Sequence, residues 1–442
     1  MKSIHFKGLF RRFDYNIQFC EDGLTILTGP NGFGKTTILR VIEALSQGID
    51  GVNFLDRLDF RSISMKLNNG KSFLIEKSDS KIYVNKKPLL KNDFIELFWR
   101  KSGDDFFDFL RRRNRLVPVR SSSSNSYESV EEELKMLSAY KERFEVLQKI
   151  IESKVDDLKN IADKIDGSNE FALLDSLKDK VFFIHEQRLL RSIKECRYYN
   201  EEDEIEEVNQ EIVSDLPNNF IEQIRKAIRS FTKYSTRLDA SFPKRLLNDK
   251  ESFTKEDFEK RFERIQEYNN RLNEYGLSVK FEKLIPDFNE EYARALKVYC
   301  DDIDSKYAVY RNLIKKLDLY REIINDRLKF KKCFINPKKG LIIKDGNREL
   351  ELDELSSGEK QILVIFYELI FNLSKGTVLL IDEPEISLHI VWQEKFMDDL
   401  KRIISLNSCS AIVATHSPQI INNNWNNQVD LGGLYSAQLH NG

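Results

Sequence analysis

The sequence is poor in several residue types, and each scarcity excludes a class of protein. Its 442 residues include five dispersed cysteines and no CxxC pair, so neither a disulfide framework nor a thiolate zinc site is predicted. The 18 glycines and 9 prolines are few for this length, which favours long helices and short loops. No stretch approaches the ~18 apolar residues of a membrane helix, and the N-terminus lacks a signal-like apolar run. We therefore expect a cytoplasmic protein without a membrane segment.

An excess of charge of one sign is also missing. Lysine and arginine number 70, aspartate and glutamate number 72, and the formal net charge is −2. This balance argues against a protein that coats nucleic acid by bulk positive charge, so any anion site is local. Five arginines between Arg111 and Arg120 form either a solvated helix face or a contact for DNA or an acidic protein. The acidic run 201–207 is interpreted as an exposed loop, with a site for a basic partner as the alternative.

The hydrophobic pattern predicts an α/β fold with a mixed sheet and an inserted all-α arm. Residues Thr254 to Tyr275 have the spacing and start signals of a helix, with Gly276 as its stop. Residues Phe288 to Asn336 contain neither Gly nor Pro, which predicts one helix of about 40 residues. The expected domains are an N-terminal lobe over 1–190 with a helical segment at about 95–170, a helical or coiled-coil insertion over 191–331, and a C-terminal lobe over 332–442.

A glycine-rich turn, GPNGFGKTT, lies between a predicted strand and a predicted helix. It matches G-x-x-x-x-G-K-[ST], in which backbone amides and a helix N-terminus surround phosphate oxygens. Lys35 is expected to bind the β and γ phosphates, and the Thr36 hydroxyl to ligate Mg²⁺. The predicted phosphate-binding residues are Gly29, Asn31, Gly32, Gly34, Lys35, Thr36 and Thr37.

A second motif, TVLLIDEPEISLH, is an apolar strand that ends in two adjacent carboxylates. We expect Asp382 to bind Mg²⁺ through water and Glu383 to orient or deprotonate the attacking water. The plain structural interpretation is a pair of solvated acids at a strand end. The phosphate loop elsewhere in the chain disfavours that interpretation.

A third motif, LSSGEKQ at 355–361, opens a predicted helix ahead of the two acids. Together the three motifs resemble those of ABC-type ATPases, and the GEK ending resembles the branch that contains the chromosome-maintenance (SMC), RecF and OLD ATPases. The resemblance implies a P-loop ATPase head and a head-to-tail ATP sandwich. Ser356 and Gly358 of one subunit would then cap the γ-phosphate bound at Lys35 of another.

The resemblance assigns roles to further residues. His416, in ATHSPQII, resembles the switch histidine that contacts the γ-phosphate during catalysis. Gln187, in VFFIHEQRLL, resembles the glutamine that joins nucleotide and Mg²⁺ to the helical insertion. Ser387 corresponds to the loop after the acids, where subunits of the family touch.

The DEPEISLH and ATHSPQIIN signatures also resemble those of ATPase subunits in bacterial anti-phage systems, such as PtuA of Septu, the ATPases of some retrons and AriA of PARIS. This resemblance implies an ATP-hydrolysing subunit that forms a dimer or higher oligomer and controls a separately encoded effector, usually a nuclease. The short stretch after His416 and the dispersed histidines lead us to expect no TOPRIM or HNH nuclease in the chain. DNA and a phage-encoded trigger are both possible partners.

Two other interpretations stay open. A DNA-repair ATPase of the RecF or chromosome-maintenance type would engage DNA through its helical arms. A transporter's nucleotide-binding subunit is disfavoured because the insertion is long and GEK replaces GQ in the third motif. A neighbouring gene for a nuclease or reverse transcriptase would favour defence, and neighbouring repair genes would disfavour it.

Overall fold

Part of the chain is described in atomic terms by the computed structural model. The predicted helical segment at about 95–170 and the arginine run from Arg111 to Arg120 lie outside the described residues. The described residues are 1–47, 49–78, 81–88, 180–184, 190–199, 202–249, 253–277, 288–387 and 389–441.

The strands are numbered in chain order. They are β1 (Ser3–Leu9), β2 (Phe13–Gln18), β3 (Leu24–Thr28), β4 (Ser62–Lys66), β5 (Ser72–Ser78), β6 (Lys81–Val84), β7 (Lys87–Pro88), β8 (Val181–Ile184), β9 (Leu190–Tyr199), β10 (Glu202–Glu211), β11 (Lys331–Asn336), β12 (Gly340–Asp345), β13 (Arg348–Leu350), β14 (Val378–Asp382), β15 (Ser410–Ala414) and β16 (Gln428–Asp430).

The helices are numbered in the same way. Across the described ranges, none is long and apolar enough to cross a membrane. They are α1 (Lys35–Ala44), α2 (Ile49–Arg57), α3 (Leu216–Asn248), α4 (Lys255–Glu274), α5 (Ala293–Ala308), α6 (Arg311–Arg327), α7 (Ser357–Phe371), α8 (Ile390–Asn407), α9 (Pro418–Ile421) and α10 (Leu431–Asn441).

The described residues divide into two units. The first contains residues 1–18, 40–88 and 434–441, and the second contains residues 19–39 and 180–433. The three-lobe division predicted from the sequence follows other boundaries and stays a prediction.

The first unit is built on a six-stranded antiparallel sheet in the order β2-β1-β4-β5-β6-β7. Alternate residues of its strands are buried, as in the pairs Ile63–Met65 and Phe73–Ile75. Between Phe60 and Pro88, short alternating runs separated by turn residues predict a small antiparallel sheet, and β4 to β7 confirm this prediction. β1 and β2 extend that sheet.

The second unit contains a five-stranded parallel sheet in the order β16-β3-β15-β14-β8. Every residue of β3 and β14 is buried, which is typical of a parallel sheet covered on both faces. Because the strands are parallel, their carboxyl ends meet at one edge. β3 leads there into the glycine-rich turn, β14 into the adjacent acids and β15 into the segment with His416.

A three-stranded antiparallel sheet, in the order β11-β12-β13, precedes α7 in the same unit. β12 begins at Gly340, whose φ is +69°. A Cβ atom at this position would lie 1.9 Å from the carbonyl oxygen of Pro217, in the first turn of α3. Only glycine allows α3 and β12 to approach this closely. The α/β fold with antiparallel and parallel sheets and inserted helices is confirmed.

The predicted helix after Thr254 is confirmed as α4. Its capping residue, Thr254, accepts a hydrogen bond through its side chain from the amide of Asp257 at 3.2 Å. Gly276 follows the helix with φ of +66°, as its predicted role as a stop requires.

The prediction of one helix over Phe288 to Asn336 is wrong. The chain forms α5 and α6, turns between them, and continues as β11. Tyr310, between the two helices, is buried and stacks on Phe231 of α3 with ring centroids 4.9 Å apart, and Leu328 takes an extended conformation at the end of α6. The KKCFIN segment alternates between buried and less buried residues, which is a strand period.

The acidic run at 201–207 is also not a loop. Its residues from Glu202 onward belong to β10, which pairs antiparallel with β9 over ten residues of each strand. Glutamate has low strand propensity, but its partner strand contains Ile193, Tyr198 and Tyr199, which are residue types that favour strands. A hairpin therefore precedes the helices of the segment that we expected to be all-α.

The helices of the insertion share a core with α7. Phe220 of α3 is fully buried, and its ring centroid lies 5.0 Å from Tyr320 of α6. It also lies 5.0 Å from Tyr367 and 5.2 Å from Phe371, both of α7. The Tyr320 hydroxyl donates to the carbonyl oxygen of Leu363, also in α7, at 3.1 Å. These aromatic contacts attach α3 and α6 to α7, the helix that LSSGEKQ opens.

Ion pairs attach α6 to α8, the helix after the adjacent acids. Arg327 of α6 pairs with Asp399 of α8, and both side chains are buried. Near the surface, Arg402 of α8 pairs with Glu322 of α6 at 2.6 Å. Breaking the buried pair on one side would leave an uncompensated charge, so α6 and α8 are held in one arrangement.

We expect Phe220→Ala to destabilise the second unit by about 3 to 5 kcal/mol, because it leaves a cavity among three aromatic rings. Equilibrium urea unfolding, followed by tryptophan fluorescence, measures this loss. Phe334→Ala, at a ring that is 45% exposed on β11, is the control and should change the midpoint little. Equal midpoints for Phe220→Ala and wild type would contradict this account of the core.

Candidate nucleotide site

The glycine-rich turn after β3 has the backbone that a phosphate cradle needs. Gly29, Gly32 and Gly34 have φ values of +141°, +84° and +87°, which L side chains rarely adopt. A Cβ atom at Gly29 would lie 3.2 Å from the Cβ of Leu431. The turn leads directly into α1, whose first amides have no partners within the helix and carry the positive end of its dipole.

Lys35 begins α1 and extends its ammonium group into the turn. The residue is only 5% exposed, and its Nζ donates a hydrogen bond to the carbonyl oxygen of Gly29 at 3.0 Å. Nζ also contacts Nε2 of His416. Burial lowers the pKa of Lys35, while the charges of Glu383, Asp382 and then Glu385 oppose that shift. Lys35 is therefore a buried cation beside three acids, and a bound phosphate would place a further negative charge next to it.

The adjacent acids lie at the carboxyl edge of the parallel sheet. Asp382 is the last residue of β14 and is 4% exposed. It pairs in register with Ala414 of β15, and Glu383 donates its amide to the carbonyl oxygen of Ala414 at 2.9 Å. Glu383 has φ of +44°, a conformation that costs energy for a non-glycine residue and turns the chain sharply at the strand end.

Glu383 and His416 approach each other beside Lys35. Burial, and then the hydrogen bond and charge of Glu385, raise the pKa of Glu383 to about 8. Burial and the charge of Lys35 lower the pKa of His416, so its imidazole is neutral at pH 7 and Nε2 accepts from Lys35. Glu383 Oε1 lies 3.3 Å from the same nitrogen. A carboxyl group with a pKa near neutrality can both accept and return a proton.

A residue that the sequence analysis missed, Glu385, joins the acidic loop to the segment after β15. Its Oε1 accepts hydrogen bonds from Thr415 Oγ1 at 2.7 Å, from the His416 amide at 2.8 Å and from the Ser417 amide at 3.0 Å. The available signal was a third acid in DEPE, two residues after Glu383. Its partners lie 30 to 32 residues away in sequence, so the pattern alone does not reveal them.

The LSSGEKQ residues lie at the start of a different helix. Ser356 caps α7 in a capping box, where its amide donates to Glu359 Oε2 at 2.9 Å and its side chain accepts from the Glu359 amide. Lys331 donates to both oxygens of Glu359 at 2.8 Å. Burial raises the pKa of Glu359, but the hydrogen bonds of Lys331 and Ser356 outweigh it and lower the pKa overall. Ser356 is exposed and Gly358 is half-buried.

The structure therefore brings some of the predicted residues together and separates others. Gly29, Lys35, Asp382, Glu383 and His416 converge at one sheet edge. Exposed Asn31 and Gly32, together with half-buried Gly34, Thr36 and Thr37, line the turn and the first turn of α1. Ser356 and Gly358 lie at the start of α7, where Ser356 is hydrogen-bonded to Glu359. Gln187 lies outside the described residues, and the roles of all these residues stay predictions.

The residues present fit ATP and Mg²⁺. A turn with three glycines at positive φ, a helix N-terminus and a buried ammonium group together make an anion cradle. Thr36 and Asp382 offer a hydroxyl and a carboxylate, which are the oxygen ligands that Mg²⁺ prefers. The chemistry of this donor set suits a nucleoside triphosphate with its magnesium ion.

Curated proteins match a short part of the chain. A sulfate/thiosulfate import ATP-binding protein, CysA, of Mannheimia succiniciproducens is 35% identical over 72 residues, which are 16% of this chain and 20% of that protein. A phosphate import ATP-binding protein, PstB 2, of Lactococcus lactis is 25% identical over 89 residues, which are 20% of this chain and 33% of that protein. The chain thus spans about a fifth to a third of the length of these relatives.

Solved structures match most of the chain at low similarity. The Smc head domain of Pyrococcus furiosus with an extended coiled coil, bound to the C-terminal domain of ScpA, is 12% identical at a TM-score of 0.34, covering 97% of this chain and 92% of that one. The SMC head domain of Thermotoga maritima is 12% identical at a TM-score of 0.33, covering 95% and 90%.

A family model extends over nearly the whole chain. The model described as AAA ATPase domain, AAA_15, matches residues 1–421. This span includes the glycine-rich turn, the adjacent acids and His416. The chain belongs to the AAA_15 family of AAA ATPase domains and is an ATPase.

Proposed function

We propose that this ATPase binds ATP and Mg²⁺ between two head-to-tail copies of the chain, and that closure of the pair controls a separately encoded effector, such as a nuclease, in a bacterial anti-phage complex. The observation that carries the proposal is the convergence of Lys35, Glu383 and His416 at one sheet edge. The N-terminus of α7, at exposed Ser356, is a second helix N-terminus of the kind that binds anions.

Binding begins at the glycine-rich turn. The amides of Asn31 to Gly34 and of the first turn of α1 would surround the phosphate oxygens, with the side chains of Asn31 and Thr37 at the rim. Lys35 would exchange its hydrogen bond to Gly29 for the β and γ phosphates. Thr36, Asp382 and Gln187 would hold Mg²⁺. The chemistry that Mg²⁺ supplies when bound is neutralisation of charge on the phosphate oxygens.

Glu383 and His416 would carry out the chemical step. Glu383 would orient the attacking water and take its proton, as its raised pKa allows. His416 is neutral and next to Lys35; once Lys35 has moved to the phosphates, the tautomer with its proton on Nε2 would donate to the γ-phosphate. Both groups are held by backbone bonds at the sheet edge, so little reorganisation is needed during the reaction.

An exposed apolar patch beside the site supports self-association. Ile386 follows the acids and is 66% exposed, and Ile390 and Val391, at the start of α8, are 57% and 58% exposed. Exposed apolar patches with a polar surround are typical of protein interfaces. A second copy that places Ser356 and Gly358 over the γ-phosphate would cover this patch, and ATP would then bind most tightly to the closed pair.

The helical insertion would transmit closure of the ATP-bound pair to a partner protein. α6 pairs with α8 through Arg327–Asp399 and Arg402–Glu322, and α3 and α6 pack on α7. α7 begins in LSSGEKQ and α8 follows DEPEISLH, and these two motifs would meet in the closed pair. Closure would therefore move the inserted helices, which pack on α7 and α8, as rigid bodies. The effector, a phage-encoded trigger and a cytoplasmic location follow from the resemblance to anti-phage ATPases and belong to this proposal.

A DNA-repair ATPase is the second candidate, favoured by one feature of α3. Arg225, Lys226, Arg229, Lys233 and Arg237 are exposed at helical spacing on this helix. A basic stripe of this kind suits the phosphate backbone of DNA. In this function the inserted helices would hold DNA directly.

We expect Glu383→Gln to keep ATP affinity and to lower kcat at least about 100-fold, because an amide cannot take the proton of water. The variant should also accumulate as an ATP-bound dimer, measured by light scattering alongside steady-state hydrolysis. Glu394→Gln, exposed on α8, is the matched control and should keep the wild-type rate. Equal rates in Glu383→Gln and wild type would remove Glu383 from the catalytic role.

Mixing two inactive variants tests whether the site is shared. Lys35→Ala should abolish ATP binding in its own cradle, and Ser356→Arg should block the cap that it offers to a partner. Each mixed dimer then contains one intact site, so equal mixing should recover up to about a quarter of the wild-type rate. An absence of recovery at every mixing ratio would contradict the head-to-tail arrangement.

The two candidate functions differ in their response to charge reversal on α3. If DNA is the partner, Arg229→Glu with Lys233→Glu should weaken duplex binding at least tenfold and reduce the salt slope by about 2. Lys375→Glu, on an exposed loop, is the control. If an effector is the partner, wild type and variant should bind DNA equally weakly, and purification from the native operon should recover the effector with the ATPase.

A further inference from the structure

Glu385 concentrates three hydrogen bonds on one carboxylate oxygen. The donors come from three successive residues, Thr415, His416 and Ser417, and two of them are backbone amides. Hydrogen bonds to a charged acceptor are stronger than neutral ones. The backbone on both sides of the His416 side chain is therefore fixed by a single side chain from another loop.

Gln393 of α8 reinforces the same junction. Its Nε2 donates to the carbonyl oxygen of Glu385 at 3.3 Å, and its Oε1 accepts from Ser417 Oγ at 2.9 Å. The loop after β14 and the segment after β15 are thus joined through both the main chain and the side chain of Glu385. A shift of one would displace the other.

The loop that bears Glu385 also reaches the surface. Pro384–Ser387 forms a short 3-10 turn, and the next residue after Glu385, Ile386, is exposed in the apolar patch beside the site. On the other side, His416 Nε2 contacts Lys35 and lies 3.3 Å from Glu383 Oε1. Glu385 is placed between the surface that would meet a second copy and the group that would meet the γ-phosphate.

We propose that Glu385 is a positioning residue: it fixes the backbone of His416 so that Nε2 faces the γ-phosphate beside Lys35, and it couples contact at the Pro384–Ser387 loop to that placement. The inference rests on the proposed function for the role of His416. Besides the backbone of His416, Glu385 contacts Glu383, whose pKa its hydrogen bond and charge raise. A partner pressing on the loop would therefore change the chemical step through the position of His416.

Three variants separate positioning from a merely structural role. Glu385→Ala removes the acceptor, Glu385→Gln keeps an acceptor oxygen of the same reach, and Thr415→Val removes one donor at nearly constant volume. We expect kcat to fall about 10- to 100-fold in Glu385→Ala, about threefold in Thr415→Val and less than about fivefold in Glu385→Gln. The KM for ATP should stay within about threefold of wild type in all three.

A double-mutant cycle tests whether Glu385 acts through His416. The cycle uses Thr415→Val, because Glu385→Ala would also change the pKa of Glu383. The kcat of Thr415→Val with His416→Ala should equal that of His416→Ala alone. Losses that multiply would overturn the inference, as would a Glu385→Gln variant as slow as Glu385→Ala. If Glu385→Ala does not fold, judged by its thermal melt, the Thr415→Val arm decides the question.

Wild type and Glu383→Gln are measured in the same series. Equal rates in those two proteins would count against the proposed catalytic role of Glu383. A large loss in Glu383→Gln together with multiplying losses in the cycle would leave the proposed function intact and remove only the role of Glu385. The two failures therefore give different patterns.

Discussion

The site depends on one buried positive charge. The ammonium group of Lys35 lies almost out of solvent, and an isolated charge there would cost several kcal/mol. It persists because Gly29 supplies a carbonyl oxygen, His416 a neutral nitrogen, and the acids after β14 a negative field. These groups come from three different strands, and only the parallel order β3-β15-β14 brings their carboxyl ends to one place. The buried charge of Lys35 therefore depends on the strand order, because that order brings together the groups that stabilise it.

The parts of the molecule that depend on local pattern were predictable. The glycine-rich turn, the buried strand before Asp382 and the cap at Thr254 each have their signal within about ten residues, and the structure has all three elements as expected. The long helix over Phe288 to Asn336 failed for the opposite reason. Its composition permits a helix, but the chain becomes extended at Leu328 and then pairs as β11 with β12, a contact that the local composition does not reveal.

The same contrast between local signals and contacts of distant residues applies to the candidate site. Lys35, Asp382 and Glu383 were candidates because their motifs are short and contiguous, and His416 was a candidate through resemblance; the structure places all four at one sheet edge, and their roles stay predictions. Glu385 was missed although it lies in the same motif, because its significance depends on three donors on another strand's loop. Sequence pattern identifies groups that act by their own chemistry. It does not identify groups that act by holding a distant backbone in place.

The close approach at Gly340 limits how the inserted helices can move. With β12 almost touching the first turn of α3, and the Phe220 cluster one turn further along, the root of this helix has no free space on its inner side. The far end of α3, beyond Pro243, is held as well, because Arg245 pairs with Asp302 of α5 and Asp249, just after α3, pairs with Lys297 of α5 at 3.0 Å. Both ends of α3 are therefore anchored, so a displacement of this helix would carry β12 and α5 with it.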